Sequence, residues 1–137
     1  YSGTCYVHEE YDPDMIDYLK HSHPDAAIVA HPECKPSIIE KSTFVGSTSQ
    51  MINYVENSDH PHYVMLTECG LTARLQMENK TKKFIGSCTM CKYMKSNKLN
   101  QILNILESPN PNLEIKIDPT TIEKAKHCLM QMFKYSL

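Results

Sequence analysis

The sequence predicts an α/β fold: a parallel sheet with flanking helices, layered as α/β/α. Two observations carry the prediction. Segments with apolar residues at helical spacing alternate with short apolar runs, and parallel strands need such helices to cross from one to the next. The short runs are continuous rather than alternating, which is the pattern of strands buried on both faces.

In order along the chain, Asp12-Pro13-Asp14 opens a helix, because Pro suits the first helical position and acids favour the first turn. Met15, Ile16 and Leu19 form its apolar stripe, and His23-Pro24-Asp25 breaks it. Ala26–Ala30 is a buried strand, 36–39 a short helix and 43–45 a short strand. A helix follows over 47–54, with Met51, Ile52 and Val55 on one side. Residues 63–66 are the next strand and 71–75 the next helix, and 83–85 close the strand series. The last third changes character. Leu99, Ile102, Leu103 and Leu106 share one side of an amphipathic helix, and Ser108-Pro109-Asn110-Pro111 interrupts it. Asp118-Pro119 then caps a final helix bearing Ile122, Ala125, Leu129 and Phe133. Both helices read as packing elements. The expected organisation is 1–10 as the end of a preceding domain or a linker, 11–95 as the α/β domain, and 96–137 as a helical tail.

Apolar residues at 41% and charged residues at 22% are ordinary for a globular chain. The formal net charge is −2 and Lys and Arg form no long run, so nothing asks for nucleic acid or an anionic membrane, while small anions remain open as ligands. No apolar stretch approaches the roughly 20 residues of a membrane span. No charged-then-apolar signal segment opens the chain. Its first residue is Tyr1 rather than Met, as in a processed or partial product.

Six cysteines (5, 34, 69, 88, 91 and 128) are many for this length. A secreted disulfide scaffold is one explanation. The regular apolar periodicity and low loop content favour thiols kept reduced for metal or redox chemistry. Cys88-Thr89-Met90-Cys91 is a CxxC pair, open to metal binding, a redox disulfide or chance. A four-Cys zinc site would need a second such pair, and there is none. Cys5 is distant in sequence, yet a cluster can recruit thiolates from distant loops. His8-Glu9-Glu10-Tyr11-Asp12 starts like a zinc-protease helix, but Asp12 stands where the second His is required, so that reading fails.

Chemically capable residues follow each strand: His31/Glu33/Cys34, Ser47/Thr48/Ser49, Thr67/Glu68/Cys69 and Cys88/Cys91. In an open parallel sheet these exits lie along one edge, where such folds bind ligands. Helix capping accounts for Ser47 and Thr48, but not for the His, Glu and Cys. Gly46-Ser47-Thr48-Ser49 at a helix start also offers backbone N–H groups and a favourable dipole to a phosphate or carboxylate.

Five segments, GTCYVHEEY (3–11), HPEC (31–34), VGSTSQMI (45–52), LTECGL (66–71) and CKYMK (91–95), resemble in order and spacing the C-terminal portion of the quinolinate synthase family. These are iron–sulfur enzymes of NAD biosynthesis. The resemblance implies one of three related α/β domains around a central cavity. It further implies a 4Fe–4S cluster held by three cysteines, one per domain, acting as Lewis acid while iminoaspartate and dihydroxyacetone phosphate condense to quinolinate. Carried over residue by residue, Cys5 and Cys91 fall on the second and third cluster ligands. His8, His31 and Glu33 fall on active-site positions, with His31 also touching substrate. Ser47 and Thr48 match a segment that contacts substrate oxygens. Glu68 matches a recurrent Thr-Glu pair to which no role is attached.

The departures are equally specific. Family members are about twice as long, and the first cluster Cys, an N-terminal His/Tyr segment and most anion-binding residues of the middle domain have no counterpart here. Lys92 stands where many relatives have Pro. Some relatives carry a C-x-x-C-x-x-C run with redox switching, of which Cys88 and Cys91 would be the last two members, making Cys88 the expected redox partner of Cys91. The resemblance also implies a cytoplasmic enzyme, the missing N-terminal segment as physical partner and L-aspartate oxidase as functional partner. The rival expectations are a non-catalytic metal- or redox-binding module and an inactive fragment.

Overall fold

The computed structural model describes residues 3–86 and 88–136. They divide into two compact units, 1–96 and 97–137.

The first unit is built on a four-stranded parallel sheet in the order β2-β1-β3-β4. The strands are β1 (Ala26–Ala30), β2 (Phe44–Val45), β3 (His62–Leu66) and β4 (Lys83–Phe84). Its helices are α1 (Tyr6–Glu9), α2 (Pro13–Ser22), α3 (Pro36–Ile39), α4 (Thr48–Asn57) and α5 (Cys69–Glu78). The expected α/β/α layering is therefore present.

The side-chain alternation of the strands makes the layers. Ile28, Ala30, Val64 and Leu66 face one side, where Ile16 and Leu19 of α2, Ile38 of α3, Tyr11 and Cys34 cover them. Ala27, Val29, Tyr63 and Met65 face the other, against Met51 and Val55 of α4 and Leu75 of α5. Each fully buried side chain of this kind contributes about 1.5–3 kcal/mol relative to exposure, so the two clusters hold both helix layers.

The local signals act as expected at α2. The Asp12 carboxylate accepts the Asp14 N–H at 2.9 Å, Pro13 is the first helical residue, and the His23 N–H closes the end on the Leu19 carbonyl. Two helices run beyond their expected bounds. The helix expected over 47–54 continues to Asn57. The one expected over 71–75 starts at Cys69 and ends at Glu78, because the Glu68 side chain accepts the Gly70 N–H and opens the helix earlier. Gly46 is needed for close approach: its N–H reaches the Ala30 carbonyl at 3.1 Å. A Cβ there would stand 2.8 Å from the Phe44 ring and 2.9 Å from the Gln50 Cβ.

Register decides where the chain leaves the sheet. β1 and β3 pair in step from Ala26 with His62 to Ala30 with Leu66, so both end at one level. The chain leaving β1 turns into α3 on one face; the chain leaving β3 turns into α5 on the other. A crevice therefore opens between the two exits, the place where open α/β sheets bind ligands. β4 pairs only with His62 and Tyr63. Beyond it Gly86, at φ +88° in the region that favours glycine, redirects the chain. Thr89 then bridges to Glu68 in parallel fashion, which carries Cys91 to the same edge.

The second unit contains α6 (Leu99–Glu107), a 3-10 turn at Pro111–Leu113 and α7 (Pro119–Tyr135). The Asp118 carboxylate caps α7 by accepting the Thr121 N–H at 2.9 Å, the cap anticipated from Asp118-Pro119. Among the described residues no helix is long and apolar enough to cross a membrane.

Candidate active site

The crevice is a cavity of about 220 Å³ lined by Cys5, His8, His31, Thr48, Thr67, Glu68 and Cys91, with Val7, Leu71 and Met94 as its apolar walls. Residues far apart in sequence meet here because the in-step strands deliver their exits to one level and α1 lies across them. Val7 and Tyr11 hold that segment down. Both are buried, and the Tyr11 hydroxyl donates to the Thr67 carbonyl at 2.7 Å.

His8 is the centre of the polar network. Its Nδ1 is 3.1 Å from Glu33 Oε2 and its Nε2 is 3.4 Å from Thr67 Oγ1. Its ring stacks on His31 with centroids 4.4 Å apart and planes 8° from parallel. The Glu33 backbone N–H donates to His31 Nδ1 at 3.3 Å. His31 Nδ1 is then the unprotonated nitrogen, and Nε2 carries the proton of the neutral ring. Burial, followed by the neighbouring His8, holds His31 below its usual pKa against the opposing pull of Glu33. A neutral His31 that offers an N–H, beside a carboxylate bonded to a second imidazole, can hold and move protons at a substrate in the cavity.

The thiols differ sharply in character. Cys5, His8 and Glu33 present ligand atoms that all lie within 4.8 Å of one another, a donor set able to hold a metal ion. Cys91 lines the same cavity. Its thiol is held below the usual value by the Met94 N–H first, and also by the Tyr93 N–H and the Tyr6 hydroxyl, against desolvation and the Glu68 charge. Cys34, although adjacent to Glu33, is buried under the sheet edge and its Sγ–H points to the Leu66 carbonyl at 3.6 Å. Burial pushes its pKa up to about 11, so it is a poor ligand at neutral pH.

One expectation changes. Cys88 is bonded to Cys69, with Cα atoms 5.0 Å apart, and not to Cys91. The Glu68–Thr89 bridge and the Cys69 N–H donating to the Thr89 carbonyl at 3.2 Å lay the two segments side by side, a juxtaposition that CxxC spacing does not reveal. Ser47 is the N-cap of α4, its N–H donating to Gln50 Oε1 at 2.8 Å. The neighbouring Thr48, not Ser47, lines the cavity.

The sequence did not single out Tyr6. Its hydroxyl accepts the Lys92 N–H at 2.7 Å and reaches the Met90 carbonyl at 3.2 Å. The one signal was its place beside Cys5.

Comparison with known proteins identifies the family. The profile of the family described as quinolinate synthetase A protein matches residues 1–134. The chain is 36% identical over 135 residues to the quinolinate synthase of Methanopyrus kandleri, covering 96% of this chain and 46% of that protein. It is 34% identical over 132 residues to quinolinate synthase 2 of Mesorhizobium japonicum, covering 96% and 40%. It is 33% identical over 121 residues to the quinolinate synthase of Prochlorococcus marinus strain MIT 9313, covering 83% and 36%. The chain thus spans less than half the length of the curated relatives it matches.

Proposed function

Because the chain belongs to the quinolinate synthetase A family, we propose that its crevice is one wall of the site that condenses iminoaspartate with dihydroxyacetone phosphate to quinolinate, releasing phosphate and two waters. The observation that carries this is the meeting of His8 and His31 with two thiols, Cys5 and Cys91, around one cavity at the divergent strand exits, with Glu33 bonded to His8. The donor set fits a 4Fe–4S cluster held by three thiolates: Cys5 and Cys91 would supply two, and the rest of the enzyme the third. When bound, such a cluster supplies a Lewis acid at the iron that no thiolate occupies.

The other groups bind and move protons. The Glu33 carboxylate, fixed by His8, takes up a proton as a substrate enolises. His8 orients that carboxylate and is itself oriented by Thr67. The His31 Nε2–H donates to a substrate oxygen, which a neutral imidazole does without adding charge. Thr48, in the first turn of the ten-residue α4, adds a hydroxyl at a helix N-terminus whose dipole favours a carboxylate or phosphate. This reading implies a cytoplasmic enzyme, with L-aspartate oxidase as the source of iminoaspartate.

The test is Glu33→Gln in the complete enzyme, which keeps the shape and a hydrogen-bonding group but removes the basic carboxylate. Quinolinate formation should fall by about 10²–10⁴, with iron and sulfide content and melting temperature unchanged. Near-normal turnover with a lowered melting temperature would assign Glu33 to stability and sink the catalytic role.

A second reading has its own support. The Cys5, His8 and Glu33 atoms suit a single divalent ion, which would make this a metal-binding module. Iron and sulfide in equal amounts in the reconstituted enzyme exclude it; one metal ion without sulfide establishes it.

A further inference from the structure

We infer that Tyr6 and Glu68 are positioning residues that hold the Cys91 segment in a single placement facing Cys5. The inference rests on the reading of Cys5 and Cys91 as ligands to one group. Tyr6 directly follows Cys5, and its hydroxyl bonds both neighbours of Cys91: it accepts the Lys92 N–H at 2.7 Å and donates to the Met90 carbonyl at 3.2 Å. One phenol oxygen therefore joins the two thiol-bearing segments across 86 residues of sequence. The Tyr6 ring adds an edge contact to Tyr93 and lies under the Lys92 ammonium.

Glu68 holds the segment from the opposite side. It is nearly buried, and its two oxygens are divided between tasks. Oε2 accepts the Gly70 N–H and caps α5. Oε1 accepts the Cys91 N–H at 3.3 Å and pairs with Lys95 at 3.4 Å. A carboxylate can do this only if it folds back over the helix start, and Gly70 leaves the room: a Cβ there would lie 2.7 Å from Oε2. Because that atom ends a flexible side chain, an added methyl displaces the carboxylate and not the backbone. Groups that orient metal ligands typically govern affinity by about 10–100-fold.

Gly70→Ala separates positioning from stability. Alanine favours the helix over glycine, whereas the displaced carboxylate gives up the Cys91 N–H. The experiment titrates the complete apo-enzyme anaerobically with Co²⁺ and follows thiolate-to-cobalt absorption, beside melting temperature. Tyr6→Phe and Gly70→Ala should weaken cobalt binding about 10–100-fold, with melting temperature unchanged or raised. Glu68→Gln, which keeps an oxygen for the Cys91 N–H, should bind more tightly than Glu68→Ala. Cys91→Ser is the control. If it leaves the absorption intact, Cys91 is not a ligand and the underlying reading fails. If it abolishes the absorption while Tyr6→Phe and Gly70→Ala bind like the wild type, the positioning role is wrong and the ligand reading stands. Affinity losses that only track lowered melting temperatures also overturn it.

Discussion

At the scale of single residues, the candidate site was legible where chemistry follows directly on a strand. His31 and Glu33 lie just beyond a continuous apolar run, so their types and place together marked them. His8 stood out only through the resemblance, since it sits on a four-residue helix with no periodic signal. Tyr6 and Thr67 work through partners more than fifty residues away, and no local pattern records such pairings. His31 also gives a prediction in pH. Its folded-state pKa lies below its ordinary value of 6.5, so the unfolded chain binds more protons between the two values. The resulting stabilisation is complete above about pH 6.5 and is lost as pH falls through the lowered value. Melting temperature measured between about pH 7 and pH 5 should therefore drop more steeply for the wild type than for His31→Asn. Equal slopes would show that His31 is not held neutral by the fold.

At the scale of elements, the strands and helices expected from Asp12 to Phe84 were read correctly in kind, but the four-residue α1 was not anticipated, and the error at the start of α5 fell where a side chain folds back. The early start of α5 depends on the Glu68 carboxylate reaching Gly70, a conformation rather than a composition. The same corner holds the Cys69–Cys88 bond, hidden because Cys91 is nearer to Cys88 in sequence. That bond ties the first turn of α5 to the segment beyond β4, closing a loop across a separation of 19 residues. Closing a loop of this size stabilises a fold by about 3 kcal/mol, mainly by restricting the unfolded chain. The double variant Cys69→Ser/Cys88→Ser should unfold more easily by about that amount, and reductant should lower the wild type to match it. A wild type insensitive to reductant would show that these thiols are not joined in solution.

At the scale of the whole molecule, one pattern was enough to fix the layering: continuous apolar runs alternating with helices leave each strand covered on both faces, as the two core clusters show. The matched relatives are more than twice as long, and on the proposed function the rest of such a chain would supply the facing wall of the cavity. The thiols give the corresponding prediction. In the complete enzyme, Cys5→Ser or Cys91→Ser should abolish incorporation of iron and sulfide on anaerobic reconstitution. Cys34→Ser and Cys128→Ser should retain it, the first thiol being buried and the second exposed on α7 outside the unit that holds the cavity. Full iron content in Cys91→Ser would reassign the ligand.

The in-step ending of β1 and β3 also governs which sequence changes this fold can accept over evolutionary time. A residue deleted from β1 would draw His31 and Glu33 back by about 3.3 Å relative to Thr67 and turn Ile28 and Val29 to the wrong faces at once. Neither change can be repaired by a point substitution. The segment between α4 and β3 carries no such penalty, because it joins the sheet at the end remote from the cavity. Length variation should therefore collect at that end, while the strand-exit end changes by substitution alone. The fold thus separates the part of the chain that is free to drift in length from the part that must keep count.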